Sequence, residues 1–156
     1  MRRLIFTSAI AALAVAAGPV PSSSVTAAAV GTSAPPPIVI KAVRYDPPGS
    51  DTPATNAKLN AEWVKIKNRS NTTRMLTNWR LRDRQGHVYR FPTTRLGAGR
   101  WLKVHTGRGS NAPRHRYWRR DWYVWNNDGD RAVLKRANGS FVDACRWGDG
   151  DGKKEC

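Results

Sequence analysis

The sequence predicts an all-β protein, a sandwich or small barrel of seven or eight short strands. Three features point to it. From Ile38 onward, short alternating or β-rich runs recur between turn residues about every 10 to 15 positions. No sustained helical period follows residue 30, and Gln85-Gly86, Leu96-Gly97-Ala98-Gly99 and Gly107-Arg108-Gly109 would each break a long helix. The composition, 40% hydrophobic with seven Trp, supports a packed core and excludes a disordered chain. At 156 residues the chain has room for one domain and excludes a large cofactor-dependent enzyme.

Ile38 to Tyr45 is the first run, closed by Pro47-Pro48-Gly49. In Glu62 to Lys67, Val64 and Ile66 face one way and Trp63, Lys65 and Lys67 the other. Met75 to Arg82 alternates likewise, with Trp79 and Leu81 opposite Arg80 and Arg82. Asp83-Arg84-Gln85-Gly86 carries turn residues. His87 to Phe91 sets Tyr89 and Phe91 on one face, and Trp101 to Thr106 does the same with Leu102 and Val104. Arg131 to Arg136 and Phe141 to Cys145 flank Asn138-Gly139, a strong hairpin signal. Arg108 to Arg120 is left as a long irregular stretch that is both basic and aromatic.

The ends speak of compartment. Arg2 and Arg3, the apolar run Leu4 to Ala17, and Ala27-Ala28-Ala29 read as a secretory signal over residues 1–29. The apolar run is 14 residues long, too short for a stable membrane span. Residues 30–37 form a flexible lead-in, and the folded part is expected over residues 38–156. The expected location is outside the cell or on its surface, with no transmembrane segment after cleavage. Signal removal takes away two Arg and no acid, lowering the net charge from +16 to +14. Secretion makes a bond between Cys145 and Cys156 chemically reasonable, and no other pairing exists within the chain. Two free thiols or an intermolecular bond are the alternatives.

Several blocks together resemble a known family. Glu62-Trp-Val-Lys-Ile-Lys-Asn68 is similar to the Asn-terminated strand of lamin tail domains. Trp79-Arg-Leu-Arg-Asp83, Gly86 and Tyr89-Arg-Phe-Pro92 resemble that family's Trp-x-Leu-x-Asp run and aromatic-Pro pair. Leu96-Gly-Ala-Gly99 before Trp101 resembles its glycine turn, and Trp125-Asn-Asn-Asp-Gly-Asp130 is similar to a hairpin of bacterial members. The resemblance spans residues 40 to 147 and implies an immunoglobulin-like β-sandwich of about seven to nine strands. It implies a secreted single-domain module for binding or tethering, with no catalytic residues. The basic Arg108 to Arg120 insert and the two-cysteine end depart from the family pattern.

Chemistry-bearing residues are sparse. His87, His105 and His115 show no metal spacing, and no nucleophile motif is present, so no catalytic residue, metal or cofactor is assigned. Asp149-Gly-Asp-Gly152 opens like a calcium loop but has Lys153 where an oxygen ligand is needed. Asn126, Asn127, Asp128, Gly129 and Asp130 read as a structural turn. The functional lead is basic surface. Strand alternation exposes Lys65, Lys67, Arg80 and Arg82, while Arg114, Arg116, Arg119 and Arg120 surround Tyr117 and Trp118. Guanidinium forks fit phosphate oxygens and aromatic rings offer flat contacts. The expected role is therefore a non-catalytic module that contacts an anionic polymer, DNA or a cell-wall polymer such as teichoic acid, with acidic lipid headgroups as a further candidate. A protein–protein adaptor is the alternative. A small secreted nuclease built on His115, Arg116 and Glu62 ranks below both.

Overall fold

The structure, a computed structural model, describes residues 35–156. The signal segment over residues 1–29 and residues 30–34 of the lead-in lie outside the described residues. In chain order the elements are β1 (Ile38–Arg44), α1 (Asn56–Ala61), β2 (Trp63–Asn68), β3 (Arg74–Met75), β4 (Arg80–Arg82) and β5 (Val88–Arg90). Then follow β6 (Arg95–Leu96), β7 (Trp101–His105), β8 (His115–Tyr117), β9 (Gly129–Lys135), β10 (Phe141–Gly148) and β11 (Lys153–Glu155). A five-stranded sheet, β11-β1-β2-β7-β8, lies against a four-stranded sheet, β10-β9-β4-β5, with β3-β6 as a small separate ribbon. The two main sheets thus hold nine strands of an immunoglobulin-like sandwich.

Alternation decides what is buried. Ile40, Ile66 and Leu102 form one cross-strand row of the five-stranded sheet, and Val43, Val64 and Val104 the next; all six are buried. Leu81, Tyr89, Ala132 and Leu134 meet them from the other sheet, and Phe91 and Trp125 close the same core. Sheet faces that exclude water in this way supply the main drive to fold. Asn138-Gly139 makes the expected β9–β10 hairpin, with Gly139 at φ 87° and Arg136 N–H donating to Ser140 O at 2.9 Å.

β6 and β11 were not expected, and three further differences from the sequence reading have local reasons. Met75 to Arg82 is not one strand. Asn78 adopts φ 64°, a left-handed conformation that Asn tolerates, so the run splits into β3 and β4. Within Arg108 to Arg120, His115–Tyr117 forms β8 and pairs in parallel with β7. Helix α1 is six residues long, too short to show a period. Thr55 caps it, and its Asn56 and Asn60 amides both donate to Arg108 O, at 3.0 and 2.9 Å, which anchors the β7–β8 loop.

Cys145 on β10 and Cys156 just beyond β11 are disulfide-bonded, with Cα atoms 5.7 Å apart. The bond therefore ties the four-stranded sheet to the edge of the five-stranded one. Cys156 N–H also donates to Lys41 O at 3.0 Å. The closed loop is short, so the Cys145→Ser/Cys156→Ser variant is expected to lose about 3 kcal/mol of stability. Denaturant midpoints measure this, and an unchanged midpoint would show that β11 holds without the bond.

Candidate functional site

The outer face of the five-stranded sheet is built by the residues that alternate with its core rows. One cross-strand row runs Arg44–Trp63–His105–Tyr117, and the next runs Ala42–Lys65–Lys103–His115. The third is Val39–Lys67–Trp101. Cations and rings alternate diagonally. Lys103 Nζ lies 3.8 Å from the centre of the Trp63 ring, Lys65 Nζ 4.8 Å from that of Trp101, and the Arg114 guanidinium 4.7 Å from the same ring. Trp63 is only 8% exposed, although it lies on the outer face. The rings thus form a floor that holds cationic groups in place.

Like charges sit directly opposite one another in this face: Lys65 faces Lys103, and Arg44 faces Lys153. Each such pair costs up to roughly 1 kcal/mol. Burial lowers the Lys103 pKa, and Lys65, Arg44 and Lys153 lower it further, which marks convergence of four cations. The acidic residues offset only one of them: Glu155 lies 2.7 Å from Lys153, and no carboxylate among the described residues pairs with Lys65, Lys103 or Arg44. Glu62, Asp83 and Asp130 are buried, and among the described residues only Lys41, Arg108 and Lys153 of the Lys and Arg side chains have a carboxylate at ion-pairing distance.

Two histidines complete the face. His105 Nδ1 lies 2.7 Å from Asn60 O, and a carbonyl only accepts, so Nδ1 carries the proton. In neutral His105, Nε2 is then an acceptor and takes the His115 Nδ1–H at 2.9 Å. Burial lowers the His105 pKa against the raising effect of Asn60 O, and His115 and Lys103 add to the lowering. His105 also stacks on Tyr117, with centroids 5.1 Å apart.

The structure divides the sequence-predicted residues. Lys65, Lys67, Arg114 and Tyr117 belong to this face. Arg80 and Arg82 lie on β4, in the other sheet, so the two sets do not merge into one patch. Arg119 and Arg120 are exposed and follow β8, their amides donating to Gly107 O and Thr106 O at 2.9 Å each. Arg116 and Trp118 correct the expectation of a wholly exposed basic loop. Arg116 aligns with Val104 on the inward row and is 8% exposed, with its guanidinium on Thr94 Oγ1, His115 O and Ala112 O. Trp118 packs on Tyr89 and Trp125. His115 and Arg116 thus point to opposite sides of the sheet, and Glu62 is sealed in the core, so the nuclease set does not assemble.

In the Asn126–Asp130 turn, Asp130 accepts from the Arg84 and Arg131 amides at 2.9 and 2.6 Å, and Asn126 O accepts Trp147 Nε1–H at 2.9 Å. No group of three or more His, Cys, Asp or Glu among the described residues could hold a metal. No helix among them is long and apolar enough to cross a membrane.

Sequence reasoning missed Arg44, Trp63, Trp101 and Lys103 as members of the face. Alternation placed Trp63, Trp101 and Lys103 outward, but only the β2-β7 pairing makes them neighbours, and Arg44 joins them because a β-bulge between Ile40 and Ala42 shifts the alternation of β1.

A search of curated proteins gives no match. The model of the lamin tail domain, however, matches residues 31–149, most of the chain and nearly all of the sandwich described above. The chain belongs to the lamin tail domain family.

Proposed function

We propose that this module binds duplex DNA, without sequence preference, through the outer face of its five-stranded sheet. The carrying observation is the arrangement of cations there. Lys65 opposes Lys103 and Arg44 opposes Lys153, with Glu155 bonded to Lys153 at 2.7 Å as the carboxylate beside them. A sheet that keeps like charges opposed sacrifices some stability, and a polyanion removes that repulsion.

Rigid partners suit this face better than flexible ones. Trp63 and Trp101 carry the protein's own cations, so they are not free platforms for unpaired bases. A single strand or a teichoic acid would lose chain entropy on a flat surface with no stacking in return. Duplex phosphates are already fixed in space. Among the described residues no helix is available to enter a groove: α1 has six residues and its asparagines hold the Arg108 backbone. Binding is accordingly electrostatic and not sequence-reading. The disulfide and the signal-like leader fit a site of action outside the cytosol.

Competition among duplex DNA, single-stranded DNA and teichoic acid, read by fluorescence anisotropy, tests the assignment. Duplex is expected to bind most tightly, with a Kd on the order of micromolar at physiological salt. Preference for single strands would show open stacking platforms, and preference for teichoic acid would move the ligand to the cell wall. A protein partner that binds unchanged after Lys65 and Lys103 are reversed, with no DNA affinity, would favour the adaptor reading.

A further inference from the structure

The second sheet carries a cationic face of its own. On β4, Arg80 lies directly between Arg90 of β5 and Lys135 of β9, three cations in one cross-strand row. Arg131 of β9 faces Arg146 of β10, and Arg82 flanks them. Arg131 and Arg146 also line a surface hollow with Arg84, and Asp128 and Asp130 line it too. No outward position of these four strands holds a carboxylate. Asp130 is buried, and Asp143 turns to the other sheet, where its Oδ2 accepts Ile40 N–H at 2.8 Å.

We infer that the module is bivalent and bridges two separate duplexes, one on each outer face. This rests on the duplex-binding reading above. Packed sheets lie about 10 Å apart, so their outer faces point in opposite directions. Duplex DNA has a persistence length of roughly 50 nm and cannot wrap around so thin a body to reach both faces. Two opposed faces, with Lys65–Lys103 on one and Arg80–Arg90–Lys135 on the other lacking carboxylate partners, therefore call for two polymers.

A two-duplex capture assay tests this. One duplex is immobilised, a second is fluorescent, and the full module is added at low salt. Wild-type protein is expected to retain the fluorescent duplex, and to saturate at two duplexes per molecule in sedimentation velocity. Arg80→Gln/Arg90→Gln/Arg131→Gln should abolish capture and saturate at one duplex. Lys65→Gln/Lys103→Gln, which alters the other sheet, should also abolish capture and saturate at one. Binding by anisotropy without any capture by the wild type would overturn bivalency and leave the duplex reading intact. Capture that survives the β4-β5-β9 substitutions would also overturn it, since the second contact would then lie elsewhere. Absence of binding in both assays would overturn the two readings together.

Discussion

Glu62→Ala is expected to destabilise the fold by about 3–5 kcal/mol. Glu62 is fully buried, and its two carboxyl oxygens accept the Trp125 and Val124 amides at 2.9 and 3.2 Å. Removing the carboxyl leaves two buried N–H groups without acceptors, each costing roughly 1–3 kcal/mol, together with a cavity beside Trp125. Denaturant unfolding measures the loss. A change within about 0.5 kcal/mol would show that the Val124–Trp125 segment finds other acceptors.

The same residue makes stability depend on pH. Burial raises its pKa from 4.5 to about 8, against the lowering effects of the Thr106 side chain and the Trp125 and Val124 amides. Between those values the folded chain holds a proton that the unfolded chain has released. The resulting stabilisation is complete below about pH 4.5 and is lost as pH rises through about 8. Wild-type stability is thus expected to decline over that window. Glu62→Gln, which cannot ionise, removes that part of the slope. Equal slopes in the two proteins would place the titration on another group.

The second large effect falls on binding. Lys65→Glu/Lys103→Glu is expected to weaken binding at the five-stranded face by roughly a hundredfold at low salt, by removing two phosphate contacts and adding two repulsions, while the other sheet keeps its own duplex. The fold should tolerate the change. Both residues are half-exposed, and one opposed like-charge pair replaces another, at a cost of roughly 1–2 kcal/mol for the two lost cation–ring contacts. Anisotropy titration alongside thermal melting separates the two effects. A folded variant that keeps both the wild-type affinity and the wild-type number of bound duplexes would remove this face from the binding site.

Much of the architecture was legible from residue order. Val64, Ile66, Leu81, Tyr89, Leu102 and Val104 are buried where strand alternation put them, because a period of two survives in any sheet with one wet face. Asn138-Gly139 turns as its chemistry demands. Short elements were not legible: α1 and β8 have six and three residues, and their existence depends on contacts with the β7–β8 loop and β7. Nor was the partner of each strand. Lys65 and Arg80 read alike in sequence, each a cation between apolar neighbours, but β2 and β4 belong to different sheets. Arg116 and Trp118 misled for a related reason. A basic stretch suggests surface, yet β8 pairs with β7 and turns Arg116 inward, where three acceptors hold its guanidinium.

The most direct test of cation-driven duplex binding is the affinity of the wild-type module for one duplex, followed as salt is raised. With Arg44, Lys65, Lys103 and Lys153 each meeting a phosphate, log K is expected to fall against log salt with a slope of about −3 to −4, alike for unrelated sequences. A slope near zero, or affinity confined to one sequence, would contradict it.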